Sequence, residues 1–157
     1  MNPTILIVDD CIDIARIIAR YLETAAYRTL TVASGVEARA VVARTKPDCI
    51  VLDLMMPGMS GAELLHELRS DPATADIPVI LVSARVGHHG THFRSTIDAD
   101  YSVGKPFTRQ QIIQAVRTVL ARKQGIELAP TPPPPPPRMD ARARIAAELA
   151  RNGFLAH

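Results

Sequence analysis

One stretch of the sequence decides the fold, Val51-Leu52-Asp53-Leu54-Met55-Met56-Pro57-Gly58-Met59-Ser60-Gly61. It begins as an apolar run that ends in a carboxylate, and it continues through a Pro-Gly turn to a serine that can cap a helix. This order predicts a buried strand, a turn and the start of a helix. Ligands of open α/β sheets bind outside the carboxyl ends of the strands, so Asp53 is a candidate site residue.

The same order of apolar run and amphipathic segment recurs along the chain. The stretch quoted above begins inside one apolar run, 49–52, and four similar runs lie elsewhere in the chain. The five predicted strands are 5–8, 28–32, 49–52, 79–82 and 101–103. Apolar residues recur at helical spacing in the first and last amphipathic segments, as Ile14, Ile17, Ile18, Tyr21 and Leu22 and as Ile112, Ile113, Val116 and Leu120. The alternation predicts a parallel sheet with helices on both faces.

Capping residues support the predicted helix starts. Three capping boxes precede apolar-periodic segments, namely Ser34 with Glu37, Ser60 with Glu63, and Thr108 with Gln111. The segment after the fourth strand contains glycines and a weak apolar pattern, and it predicts only a short fourth helix over 91–97.

Composition divides the chain of 157 residues into three parts. Residues 1–125 suit one globular domain, residues 126–138 are a proline-rich linker, and residues 139–157 predict a short amphipathic helix. That helix is too small for a winged-helix domain, so no direct DNA binding is expected. The net charge of +2 gives no argument for nucleic acid or membrane as a partner.

The two cysteines and the first residues indicate the compartment. Cys11 and Cys49 lie in unrelated segments, which favours reduced thiols over a disulfide, and both are expected to be small buried residues. An apolar run interrupted by Asp9 does not resemble a secretory signal. We therefore expect a cytoplasmic protein without a membrane segment.

Charged and hydroxyl side chains follow four of the five predicted strands. Asp9 and Asp10 follow the first, Asp53 the third, Ser83 the fourth and Lys105 the fifth. Carboxylates held close together repel one another by roughly 1–4 kcal/mol per pair at about 4 Å, and a divalent cation relieves that repulsion. Because Mg²⁺ prefers oxygen ligands and a lysine can pair with a phosphoryl oxygen, the set predicts a magnesium-dependent phosphate site.

These motifs together resemble the receiver domain of two-component response regulators over roughly residues 3–123. The matching segments are Ile7-Val8-Asp9-Asp10, Asp53-Leu54-Met55-Met56-Pro57-Gly58 with Gly61, Val82-Ser83-Ala84 and Lys105-Pro106-Phe107. The resemblance implies a flavodoxin-like, doubly wound sheet in the order 2-1-3-4-5 with five helices.

The resemblance also implies a function for each site residue. Asp53 would take a phosphoryl group from a histidine kinase, a phosphotransfer protein or a small phosphodonor. Asp10, Asp53 and the Met55 carbonyl would ligate Mg²⁺, with Asp9 acting through water. Lys105, before a cis peptide at Pro106, and Ser83 would contact the phosphoryl group. The chain would then act by binding, with no enzymatic activity beyond its own phosphorylation and dephosphorylation.

Positions that modulate switching depart from the family pattern. The aromatic switch residue is replaced by Ser102, and strand alternation points the neighbouring Tyr101 to the other face. Met55 and Arg85 occupy the positions that influence hydrolysis of the acyl phosphate. Because an apolar Met55 cannot orient water, we predict a long-lived phosphoform.

The residues leave other functions and partners open. One alternative is a receiver-like scaffold that acts constitutively through its proline-rich tail, and Ser102 favours it. Another is a small magnesium phosphatase; the haloacid-dehalogenase type needs an acid two positions after its nucleophile, where this chain has Cys11 and Ile12. A downstream protein would bind the surface formed by the predicted fourth helix, fifth strand and fifth helix, or the tail helix. The tail helix could also pair with a second copy or dock on its own domain.

Overall fold

The computed structural model describes residues 2–84 and 99–126, in which five parallel strands pair in the order β2-β1-β3-β4-β5. The strands are β1 Thr4–Val8, β2 Arg28–Val32, β3 Cys49–Asp53, β4 Val79–Ser83 and β5 Tyr101–Gly104. The helices are α1 Ile12–Glu23, α2 Gly35–Thr45, α3 Gly61–Ser70 and α4 Arg109–Lys123. The predicted strand order is confirmed. The predicted helix over 91–97 and the tail from residue 127 lie outside the described residues.

Alternate residues of the strands build two cores, one on each face of the sheet. Ile5, Ile7 and Val51 pack with α1 and α4, whereas Leu6 and Leu52 pack with α2 and α3. Central strands that are buried on both faces are apolar up to their last residue, as the sequences of β3 and β4 show, which end in Asp53 and Ser83. The two cores fix the register, because a slip of one residue would exchange the faces.

Helix starts follow the capping predictions with one difference. Ser60 and Thr108 each accept from the backbone N–H three residues on, and the Glu63 and Gln111 side chains accept from the cap backbone in return. Ser34 accepts from the Glu37 N–H at 3.2 Å, but the Glu37 carboxylate accepts from Ala33, one residue before the expected partner. The capping box of Ser34 and Glu37 is therefore only half formed.

Two predicted burials are wrong. Cys49 is buried, but Cys11 is exposed, because it caps the amino end of α1 at the edge of the sheet. Ile17 is also exposed, although it shares helical spacing with Ile14 and Tyr21. The buried stripe of α1 instead includes Ala15 and Ala19, where small side chains allow close packing. Within the described ranges, none of the helices is long and apolar enough to span a bilayer.

Candidate functional site

Strand alternation brings the predicted site residues together at the carboxyl edge of the sheet. Asp9 continues the row Ile5-Ile7, and Asp53 ends the row Cys49-Val51, both on the face covered by α1 and α4. Lys105 follows Tyr101 and Val103 on β5 with the same parity. The rows that form the core on this face thus continue into the three charged side chains.

The carboxylates form a tight cluster with one ammonium group. Asp9, Asp10 and Asp53 each offer an oxygen, and these oxygens lie within 4.8 Å of one another. The Lys105 Nζ lies 3.4 Å from the Asp9 Oδ2 and 3.7 Å from the Asp53 Oδ2. Asp9 is 2% exposed and Asp53 5%, whereas Asp10 faces solvent. Among the residues that the structure describes, three formal negative charges therefore share the one nearby positive charge of Lys105.

Backbone amides orient the two buried carboxylates. The Cys11 N–H donates to the Asp9 Oδ1 at 2.9 Å, and the Met55 N–H donates to the Asp53 Oδ1 at 3.2 Å. Each carboxylate thus keeps its Oδ2 on the side of Lys105. The sequence indicated the acids but not these two donors, because a backbone amide carries no residue signature.

Burial raises the pKa of the Asp53 carboxyl above its ordinary value. The negative charges of Asp9 and Asp10 add to this increase, while the Met55 N–H and the Lys105 ammonium oppose it. The charged form of Asp53 is therefore disfavoured in the metal-free pocket. A divalent cation would offset the same repulsion.

The donor set fits magnesium. All three side chains are carboxylates, hard oxygen donors of the kind that Mg²⁺ takes together with water. The exposed position of Asp10 leaves one side of the cluster open to solvent, as a partly hydrated ion requires.

Two neighbouring residues shape the pocket. The Lys105 N–H donates to the Ser83 carbonyl at 3.1 Å, and a cis peptide joins Lys105 to Pro106. A Cβ on Gly61 would clash with the Asp53 carbonyl oxygen and lie 2.8 Å from the Leu54 Cα. Glycine therefore allows α3 to begin directly against the end of β3.

The residues expected to modulate switching lie on different faces. Tyr101 packs on the core under α1 and α4, while Ser102 pairs with Leu81, whose side chain belongs to the core under α2 and α3. Tyr101 therefore cannot stand in for the missing aromatic residue. Met55 is exposed beside Asp53, and Arg85 lies outside the described residues.

Comparison with known proteins identifies the family. The model of the response regulator receiver domain matches residues 5–117. The chain belongs to this family. Receiver domains are generally signalling switches that interact with histidine kinases and phosphotransfer proteins, and their acidic pocket generally binds Mg²⁺.

Relatives agree with this assignment. The chain is 40% identical to the phosphate regulon transcriptional regulatory protein PhoB of Pseudomonas aeruginosa over 122 residues, which are 78% of this chain and 53% of PhoB. It is 33% identical to the transcriptional regulatory protein BaeR of Escherichia coli over 121 residues, 77% of this chain and 49% of BaeR. The chain thus spans about half the length of these relatives. Since their names describe regulators of transcription, the absence of DNA binding stays a prediction.

Solved structures share the fold. A putative response regulator from Chloroflexus aurantiacus superposes with a TM-score of 0.73 at 30% sequence identity. The superposition covers 78% of this chain and 100% of the Chloroflexus chain. The chemotaxis protein CheY4 of Vibrio cholerae superposes with a TM-score of 0.70 at 25% sequence identity, over 76% of this chain and 99% of the CheY4 chain. The predicted flavodoxin-like fold is confirmed.

Proposed function

We propose that the chain is a phosphorylation-controlled signalling switch of the cytoplasm that accepts a phosphoryl group on Asp53. The observation that supports this most directly is the buried Asp53 carboxylate, whose Oδ2 lies 3.7 Å from the Lys105 ammonium within a cluster of two further acids. A carboxylate in that setting has a cation on one side for a phosphoryl oxygen. On the other side it has ligands for the ion that neutralises the rest of the charge.

The proposed step is an in-line substitution at phosphorus. A carboxylate oxygen of Asp53 forms a bond to the phosphorus of a phosphohistidine or acetyl phosphate. The bond to the imidazole nitrogen or acetate oxygen breaks, and the leaving group takes the electron pair. The Lys105 ammonium and the Ser83 hydroxyl bind phosphoryl oxygens. Asp10, Asp53 and the Met55 carbonyl would hold Mg²⁺, with Asp9 contributing through water. Mg²⁺ would supply charge neutralisation to this step.

Labelling with acetyl phosphate tests the proposal. We expect the intact mass of the chain to rise by one phosphoryl group when Mg²⁺ is present and to stay unchanged in excess chelator. Asp53→Asn should remove labelling, and Asp76→Asn, a surface acid far from the pocket in the fold, should retain it. Because the chain has no tryptophan, mass replaces fluorescence as the readout. Equal labelling of the Asp53→Asn variant would overturn the assignment of the acceptor.

The lifetime of the phosphoform follows from Met55. Its exposed thioether side chain beside the acceptor cannot align a water molecule for attack on the acyl phosphate. We expect a phosphoform that persists well beyond seconds and that decays faster in Met55→Asn, whose amide can hold water. Loss of the label within seconds in the unsubstituted chain would contradict this expectation.

A constitutive interaction module is the second candidate, and Ser102 is the observation that favours it. Ser83 continues the row Val79-Leu81 on the face of α2 and α3, and Ser102 lies opposite Leu81 on that face. Movement of Ser83 therefore meets a small side chain where the family places an aromatic ring. Phosphorylation could then occur without changing the binding surface.

Deletion of residues 126–157 separates the two candidates. If the chain is a switch, phosphorylation should change its mass in solution or its binding to a downstream protein, through the face around β5 and α4 or through the tail. If it is a constitutive module, the tail deletion should change association equally with and without the label. A homodimer formed only by the phosphorylated chain would support the switch.

A further inference from the structure

The strand β2 lies at one edge of the sheet, and one side of its backbone is open among the residues that the structure describes. In the sheet order, β2 pairs with β1 alone. The Arg28 N–H donates to the Pro3 carbonyl at 2.9 Å, so residues 28, 30 and 32 direct their backbone groups towards β1. The N–H and C=O groups of Thr29 and Thr31 therefore point away from the sheet.

This edge lacks the features that usually prevent pairing with another strand. Proteins protect such edges with charged side chains, proline or a bulge. The sequence of β2 contains no proline, and its register with β1 continues without interruption over five residues. Its one charged residue, Arg28, is the first of the strand, while Leu30 in the middle is 36% exposed. The edge is thus suited to accept a further strand.

The edge is self-complementary about Leu30. If a second copy approaches antiparallel with a two-fold axis at Leu30, Thr29 of each copy exchanges two main-chain hydrogen bonds with Thr31 of the other. Leu30 then faces Leu30 of the second copy across the axis, in a pair without hydrogen bonds between them. Threonine pairs and apolar pairs are both favourable between neighbouring strands.

Charges on α1 match across the same axis. Glu23 lies beside the edge, because the Thr29 hydroxyl donates to its carboxylate at 2.7 Å. Arg16 is exposed seven residues earlier, about two turns of helix, and so lies on the same side of α1. Since α1 runs opposite to the strands, Arg16 lies nearer the carboxyl end of β2, towards the level of Thr31. The two-fold axis therefore brings Glu23 of each copy to the level of Arg16 of the other.

Charges on the opposite face of the sheet match as well. The Glu37 carboxylate accepts from the Ala33 N–H at 3.2 Å, directly after the end of β2. Val32 packs on the core under α2 and α3, and alternation places the Arg28 side chain on that same face. The two-fold axis sets Arg28 of each copy opposite Val32 of the other, one residue from the anchor of Glu37. An arginine thus meets a glutamate on both faces.

We propose that the β2 edge is a self-association surface, on which two copies of this chain join their five-stranded sheets by antiparallel pairing of β2 with β2. A contact of one short strand per copy buries little surface, so the dimer is weak and its population depends on protein concentration. The acidic pocket takes no part in the contact. The inference therefore stands apart from the proposed phosphorylation of Asp53.

A cysteine at position 30 tests the axis directly in the full chain. In a Cys11→Ser background, Leu30→Cys places two thiols across the axis at a Cα separation of about 4.5 Å, which a disulfide spans. Val36→Cys is the matched control, because Val36 is 64% exposed, more than Leu30, and lies beyond the end of β2. With glutathione disulfide as oxidant, we expect covalent dimers of Leu30→Cys to form at least about tenfold faster than those of Val36→Cys. The remaining native thiol, Cys49, is buried and does not interfere.

Charge reversal tests the register of the two copies. In sedimentation equilibrium, Arg16→Glu and Glu23→Arg should each raise the dissociation constant of the dimer about fivefold, since a symmetric interface counts each substitution twice. The double variant Arg16→Glu/Glu23→Arg should recover the original dissociation constant. Cooperative urea unfolding of every variant confirms that its domain is folded.

Three results would overturn the proposal. The first is an equal rate of cross-linking for Leu30→Cys and Val36→Cys. The second is a double charge reversal that associates no more tightly than either single one. The third is a monomer in which the thiol of Leu30→Cys resists N-ethylmaleimide, because another part of the same chain would then cover the edge.

Discussion

The two ends of the parallel sheet both carry charged side chains. Within residues 2–84 and 99–126, the Arg69 charge at the amino end is paired, whereas the acids at the carboxyl end outnumber the cations beside them. At the amino end, the Arg69 guanidinium donates to the Ala75 and Ile77 carbonyls at 3.0 and 2.8 Å and to the Asp100 Oδ2 at 2.7 Å. The same carboxylate oxygen accepts from the Val79 N–H at 2.8 Å. These contacts join the end of α3 to the starts of β4 and β5.

At the carboxyl end, the Lys105 ammonium lies 3.4 and 3.7 Å from Asp9 and Asp53, two of the three clustered acids, and it is their one ion-pair partner within the described residues. The Arg69 network is satisfied by the protein itself, so it stabilises the fold without a ligand. The acidic cluster, by contrast, keeps an excess of negative charge within the described residues, and a bound cation would offset it. The comparison suggests that similar residues can serve stability at one end of a sheet and a binding site at the other.

The largest effect on stability is expected from a substitution that breaks the Arg69 network at the amino end of the sheet. Arg69→Met removes the donor to two carbonyls and the cation beside the Asp100 carboxylate, which keeps the Val79 N–H, and we expect the free energy of unfolding to fall by about 3 kcal/mol. Urea denaturation measures this. Arg39→Met is the control, because the exposed pair of Arg39 with Glu67 should contribute less than about 1 kcal/mol. Similar losses in both variants would mean that the amino end is an ordinary surface.

The next effect comes from removing the Lys105 cation at the carboxyl end. Without metal, Lys105→Met should lower the free energy of unfolding by about 1–2 kcal/mol, since the three acids then lose the counter-charge of Lys105. Added Mg²⁺ should recover most of the loss. Lys123→Met, which breaks only an exposed contact of 3.9 Å with Asp76, should change stability little and show no such recovery. A loss that Mg²⁺ leaves unchanged would contradict the cluster as a metal site.

Removal of one acid should act in the opposite direction. In chelator at neutral pH, Asp53→Asn should raise the free energy of unfolding by about 1 kcal/mol, because it relieves the repulsion among the three carboxylates. Since the pKa of Asp53 is raised in the folded state, the native chain binds the proton more tightly than the unfolded chain. Stability from this group is full below the ordinary Asp pKa and is lost as pH rises through the raised value.

A pH series of urea titrations checks this sign. The difference in stability between Asp53→Asn and the unsubstituted chain should grow with rising pH across that window and then level off. Excess Mg²⁺ should make the unsubstituted chain more stable to unfolding than Asp53→Asn, because only the unsubstituted pocket gains binding energy from the ion. A difference that shrinks with rising pH would contradict the raised pKa.

The smallest effect on stability concerns the switch. Ser102→Tyr places a ring on the face of Ser83 at a partly exposed position, and we expect a change in stability below about 0.5 kcal/mol. Its effect should appear in signalling instead, as a larger difference in association between labelled and unlabelled chain. Tyr101→Ser is the matched comparison on the opposite face. If Ser102→Tyr does not enlarge the difference in association, then phosphorylation changes the binding surface without an aromatic residue at position 102.

The site could be predicted from sequence because it lies at the ends of strands. Apolar runs located the five strands to within one residue at each end, and parallel pairing then brings their carboxyl ends together. Asp9, Asp53 and Lys105 were therefore identifiable before any distance was known. Capping residues located the starts of α2, α3 and α4 equally well, because a cap is a local contact.

Features that depend on neighbours distant in sequence were not predictable. Helical spacing placed Ile17 with the core, but only the packing of α1 shows that this side chain is uncovered. No sequence pattern marks Arg69, because its partners are carbonyls of a following loop and an acid 31 residues away. The exposure of Cys11 depends likewise on where the edge of the sheet ends.

The shared row of core and site residues has a consequence for how this protein can change over evolution. Inserting or deleting one residue within β3 would turn Asp53 away from Lys105 and, in the same event, exchange the apolar side chains between the two cores. An insertion or deletion of this kind would therefore disrupt the charged cluster and destabilise the fold together. Substitution of single side chains such as Asp53 or Lys105, by contrast, would remove the charged cluster and leave both cores in place.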